Sequence, residues 1–266
     1  MNRQFGGNNS LLNQKRIWRM IIVLWTFLIA GSFLWYVYMT DRNYTSLAID
    51  RSRSFFKLIE TARLWNANTG GLYAPVTDKI QPNPYLDAPN RDVTTTLGIK
   101  LTLINPSFMT RQISELTVEQ ESVQFHMTSL TPIRPANRPD EWESAALQEF
   151  EKGKTERFEF INSGSQKTFR YIAPLFVKEE CLQCHGKQGY KLGDVRGGIS
   201  MTIPSKTILA TKNRQLLLLF LLHIAVLLLG LGVILYLHRQ WRALKTSEDQ
   251  RLKLSYAVEQ SPTMVL

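Results

Sequence analysis

The chain has 266 residues, 44% of them hydrophobic and 20% charged, which is enough apolar content for a folded core. Its net charge of +10 invites a nucleic-acid reading, and the location of the charge excludes it. Residues 1–19 carry Arg3, Lys15, Arg16 and Arg19 with no acid, residues 238–266 carry five basic against three acidic residues, and the stretch between holds 23 against 19.

Residues 1–19 are polar, contain Gly6-Gly7-Asn8-Asn9-Ser10, and read as a loose cytoplasmic tail. Residues 20–39 follow without a charge, long enough for a ~30 Å hydrocarbon layer, and close on the interface aromatics Trp35, Tyr36 and Tyr38. A signal peptide has a shorter apolar run and a small-residue cleavage site, and neither is present here. Residues 214–237 form the second apolar run, almost unbroken leucine at Leu216 to Leu219 and Leu227 to Leu229. Basic residues outside both runs place both termini on the cytoplasmic side, although Lys206, Lys212 and Arg214 weaken that signal. The expected protein crosses a bacterial inner membrane twice and holds residues 40–213 outside the cytoplasm.

Residues 42–66 lack Pro and Gly and read as an outward continuation of the first membrane helix, broken at Gly70-Gly71. Pro75, Pro82, Pro84 and Pro89 then impose an irregular stretch. Ile99 to Ile104 alternates like a strand and ends at Asn105-Pro106. Asp140 and Glu143 have capping-box spacing, Trp142, Ala145, Ala146 and Phe150 share a helical face, and Gly153 ends that helix. Phe158 and Phe160, and then Phe169 and Tyr171, alternate with polar residues around Asn162-Ser163-Gly164 as in a β-hairpin. After a Cys-containing loop, Gly198 to Ile203 reads as the last strand. The fold class is α+β, an antiparallel sheet between two membrane helices. Residues 238–253 are charged and helical in composition.

Cys181-Leu-Gln-Cys184-His185 carries the chemistry. In C-x-x-C-H two thiols add to the vinyl groups of one haem c, and the adjacent imidazole becomes the proximal iron ligand. A disulfide leaves His185 unexplained, zinc needs four ligands where only His126 is added, and a thioredoxin-like pair needs a βαβ setting. The sixth ligand is open. His126 is the first candidate, because His223 and His238 lie in or beside the second membrane helix, and a hydrogen-bonded structural histidine is its bland alternative. Met109, Met127 and Met201 are thioether candidates with core packing as the common role, and an open gas-binding position is equally allowed. Arg196 suits a haem propionate or the solvated surface, and Gly197-Gly198 a close approach to the macrocycle or a turn.

Leu64-Trp65, Gly70-Gly71-Leu-Tyr73, Asn83-Pro84-Tyr85-Leu86, Ile104-Asn105-Pro106, His126-Met-Thr-Ser-Leu130, Tyr171-Ile-Ala-Pro174-Leu and Gly193-Asp194-Val-Arg196-Gly197-Gly198 occur in that order. Across about residues 45–205 the chain resembles the PAS-like c-type-haem sensor domain at the front of bacterial histidine kinases, diguanylate cyclases and chemoreceptors. Relatives often carry a His just before the Gly-Gly pair; Thr69 stands here, so no role of that His carries over. Residues 254–266 look like the opening of a cytoplasmic PAS domain cut off before its first strand. The resemblance implies a haem-binding extracytoplasmic sensor of redox state or a diatomic gas, a homodimer that passes its signal to a downstream cytoplasmic domain. No catalytic module is visible. The resemblance points to a histidine kinase as the parent, ahead of a diguanylate cyclase. The rival reading is a membrane-anchored c-type cytochrome for electron transfer, which needs the same motif and anchor but no cytoplasmic continuation.

Overall fold

The computed structural model describes residues 6–120, 123–163 and 166–259. The chain divides into two units, Met1–Arg42 with Thr211–Leu266, and Asn43–Ala210.

The first unit contains parts of two long helices, α1 (Gly6–Asn68) and α5 (Lys206–Glu259). Each is long and apolar enough to cross a membrane, an arrangement compatible with a two-pass membrane protein. Trp25 donates from Nε1 to the Leu227 carbonyl at 3.3 Å, and Ser32 Oγ meets His223 Nε2 at 3.0 Å. Phe33 and Tyr36 set their ring edges against His223. Gly230 is required by this packing, since a Cβ there would lie 2.2 Å from the Trp25 indole. Residues 6–19 are helical rather than a loose tail, because a helix already nucleated in the apolar run gains one backbone bond for each residue added. Residues 238–259 also belong to α5, while 260–266, most of the expected PAS opening, lie outside the described residues.

The second unit is mixed α+β with two antiparallel sheets. Strands β1 (Leu72–Pro75), β2 (Asp92–Thr94) and β3 (Lys100–Ile104) form one in the order β1-β3-β2. Strands β4 (Gln124–Thr128), β5 (Arg157–Ser163), β6 (Gln166–Phe176) and β7 (Val195–Pro204) form the other in the order β4-β7-β6-β5. The β5–β6 pair is the expected hairpin, its register running from Arg157↔Ile172 to Ser163↔Gln166 around two residues outside the described set.

Alternation along β6 and β7 separates two cores. Phe169, Tyr171, Ala173, Ile199, Met201 and Ile203 pack with Ala48 and Ile59 of α1. Ile172 turns to the opposite face and packs with Ala146, Leu147 and Phe150 of helix α3 (Glu141–Glu151). α3 begins on the capping box expected at Asp140 and Glu143 and ends before Gly153 at φ 94°.

Two helices depart from the sequence reading. Asn105-Pro106 does not merely stop β3; it starts α2 (Pro106–Glu119), with the Asn105 side chain accepting from Phe108 N and proline at the first helical turn. The Cys-containing loop is instead helix α4 (Glu179–His185). Being seven residues long and poor in large apolar groups, it offered no periodicity to read. Gly197-Gly198 is neither a turn nor a bend: both lie inside β7, and a Cβ on Gly197 would stand 2.3 Å from the Thr128 carbonyl oxygen of β4. The pair lets two strands close up.

Candidate functional site

α4 places Cys181, Cys184 and His185 at i, i+3 and i+4, spacings that share one helical face. Its C-terminal end forms one wall of a cleft of about 400 Å³. Cys184 and His185 line that cleft; Cys181 sits half-buried one turn back, and both thiols are free. β4 contributes Met127 and Thr128, Ser129 follows them, β6 contributes Leu175, β7 contributes Arg196 to Gly198, and α2 contributes Phe108 and Arg111.

Among the described residues, the His185 imidazole is held through Nδ1 alone. Its Nδ1 lies 2.9 Å from Gln188 Oε1 and 3.2 Å from Arg196 Nε. These two contacts exclude one another. With the proton on Nδ1 the ring donates to Gln188 and Nε2 keeps its lone pair; with the proton on Nε2 the ring accepts from Arg196. The first tautomer is the one a metal at Nε2 requires, and Gln188 is then the partner that orients the ring. Burial pushes the His185 pKa down against the opposing pull of Gln188, and the Arg196 and Arg63 charges lower it further, so the neutral imidazole is favoured. Tyr190 sets its ring edge to His185, lies under the Arg196 guanidinium at 4.9 Å, and bonds Thr131 through its hydroxyl at 2.8 Å.

The cleft is cationic. Among the described residues, Arg63, Arg111, Arg134, Arg196 and Lys187 line it against one acid, Asp87. Arg63 gives Nη1 hydrogens to Pro106 O and Thr110 Oγ1, and burial lowers its pKa to about 10. Arg111 stacks on Phe108 at 4.3 Å, and its pKa is lowered first by burial and then by the charge of Arg134. Cations gathered where they repel one another suit an anionic occupant. Arg196 already donates from Nη1 to Ser129 Oγ at 2.7 Å, so it is tied into the wall rather than solvated.

His126 is not brought to this cleft. On β4 it projects opposite to Met127, with Nδ1 3.0 and 3.1 Å from the two Glu143 carboxylate oxygens and Nε2 3.0 Å from the Ala136 carbonyl oxygen. With both nitrogens facing oxygen acceptors, His126 fits the hydrogen-bonded structural role and not that of a distal ligand. Met201 is fully buried in the core and Met109 does not line the cleft; Met127 does, with its sulfur 3.1 Å from Arg63 Nη1. Thr69 closes the end of α1 by donating to the Asn66 carbonyl at 2.9 Å. Among the described residues no cluster of three His, Cys, Asp or Glu side chains could hold a metal ion, so the zinc alternative gains no ligand set. β6 and β7 flank α4 as an antiparallel pair, unlike the parallel crossover of a thioredoxin motif.

Sequence reasoning missed Arg63, Arg111, Arg134 and Gln188, and it read Glu143 only as part of the α3 capping box. Gln188 stands three residues beyond His185 and was findable as its orienting partner; the arginines sit on separate elements and only the fold gathers them.

The sequence profile of the Tll0287-like family matches residues 39–204, more than half of the chain. The chain belongs to the Tll0287-like family. The crystal structure of the cyanobacterial haem protein Tll0287 is similar to it at 17% identity, with a TM-score of 0.39, covering 59% of this chain and 94% of that one. No curated protein matches. The matched stretch of this Tll0287-like chain contains the whole cleft, from Arg63 to Gly198.

Proposed function

We propose that this chain binds one haem c covalently and forms the input part of a membrane receptor. In this reading a PAS-like domain, residues 40–213, faces the periplasm, and a homodimer passes its state through the second membrane helix to a cytoplasmic domain, with a histidine kinase as the expected output. The carrying observation is that α4 presents Cys184 and His185 on the wall of a cationic cleft, with Cys181 on the same helical face. The residues fit the group. Two free thiols stand at the attachment spacing, one neutral imidazole has its Nε2 uncommitted among the described residues, and five cationic side chains can meet two propionates. When bound, the haem supplies a redox couple and a sixth coordination position.

The protein's own part is to hold and tune. Cys181 and Cys184 would hold the haem as thioethers, the S–H of each adding across a vinyl group, and His185 would ligate the iron with Gln188 orienting its ring; Arg196, Arg111 and Arg134 would meet the propionates. Met127 is the thioether that faces the cleft. The full chain, produced with the c-type maturation machinery, should keep its haem through denaturing electrophoresis and lose it in the Cys181→Ser/Cys184→Ser double variant. Haem released by denaturant would overturn covalent attachment. Oxidised and reduced spectra with and without CO then choose the signal: insensitivity to CO marks redox sensing, and rapid CO binding marks a gas sensor. Electron transfer at full rate by a chain whose haem state changes no downstream output would make it the cytochrome instead.

A further inference from the structure

β4 is an edge strand of the four-stranded sheet, and the residues after it reach both the cleft and His126. Ile133, Arg134 and Asn137 face the cleft on one side, while the Ala136 carbonyl reaches the other side and meets His126 Nε2 at 3.0 Å. The Pro135–Asn137 turn is also tied to the residue that follows β4, by the bond from Ser129 N to Asn137 O at 3.3 Å. His126 is therefore a strut between the cleft wall and the sheet.

The strut has two acceptor ends. A neutral imidazole carries one N–H and satisfies one oxygen; only the imidazolium satisfies Glu143 and Ala136 together. We propose that His126 is a positioning residue that works in its doubly protonated form, clamping the Ile133–Asn137 wall of the cleft to Glu143 and so making the surroundings of a bound cofactor depend on pH.

The groups facing His126 make that charge acceptable. From α3 comes Glu143, 2% exposed, and from its N-cap Asp140; from β6 comes Arg170, with Nη2 3.3 Å from Glu143 Oε1 and 2.8 Å from Asp140 Oδ2; from β7 comes Ser200, which bonds Glu143. Glu143 also accepts from Asp140 N at 3.1 Å. With the imidazolium, these side chains hold two positive and two negative charges, and neutral His126 would leave one negative charge in excess. The Glu143 bond raises the His126 pKa, against the opposing effect of burial. Burial pushes the Glu143 carboxyl up, but the His126 bond and charge hold it below the ordinary range. The clamp's contribution is thus full below the ordinary histidine range and is lost as pH rises through the raised His126 value. At the acid end it fails as pH falls through the depressed Glu143 value.

The wall readout stands apart from the haem reading, and the potential readout rests on it. In the full chain loaded with haem, amide-exchange protection at Asn137 and Arg138 should fall at least about ten-fold as pH rises through the His126 titration, after correction for the intrinsic pH dependence of exchange. The midpoint potential should shift with the same apparent pKa. His126→Gln should show low, pH-independent protection and remove the shared inflection. Protection unchanged across the wild-type titration would overturn the clamp, and that measurement needs no variant. A chain that takes up no haem would sink the functional reading while leaving the exchange result to decide the clamp.

Discussion

Two histidines near the same sheet edge carry opposite electrostatics. His185 is pushed towards neutrality by burial and by two arginines, and its Nε2 is uncommitted among the described residues. His126 is pulled towards the imidazolium by a carboxylate, and oxygens meet both of its nitrogens. The contrast shows why residue type alone does not mark a metal ligand: the first environment offers a lone pair, and the second consumes it.

The hardest way to break the comparison is His185→Ala, which should abolish the spectrum of histidine-ligated haem and any signal-dependent output; retained output control would sink the receptor reading. Next comes Glu143→Ala, which strands Arg170 and His126 and removes half of the α3 capping box. Losing one partner of a buried charge pair costs roughly 3–5 kcal/mol, visible as a lowered urea midpoint, and a midpoint unchanged would mean the charges are solvated. Gln188→Ala should leave the fold intact and weaken iron ligation by about 10–100-fold, read as haem made high-spin or displaced by exogenous imidazole at lower concentration. The smallest effect belongs to Asp140→Ala, about 1 kcal/mol for a lost N-cap, and a combined Asp140→Ala/Glu143→Ala loss smaller than the sum would confirm that the box acts as one unit.

The legible parts of this protein were those with local signals. The capping box at Asp140, the break at Gly70-Gly71, the hairpin and the apolar helices each depend on neighbours in sequence, and each stands in the structure. The C-x-x-C-H spacing was equally local. What escaped was set by distance along the chain. α4 is too short for a period to show. The cationic lining comes from Arg63, Arg111, Arg134 and Arg196 on four separate segments. The assignment of His126 depended on Glu143, seventeen residues away, and Ala136, ten away. A histidine on a strand declares its face only when the strand's neighbours are known.

The edge strand β4 has one more consequence. The segment after β4 carries Pro132, Pro135 and Pro139, none of which can donate to a strand, so that stretch cannot propagate pairing. Whatever lifts that wall from the cleft also loosens the chain packed beside an edge strand, where new pairing with other chains can begin. Protein made without its cofactor, or held above the His126 titration, should be the form that precipitates first during purification.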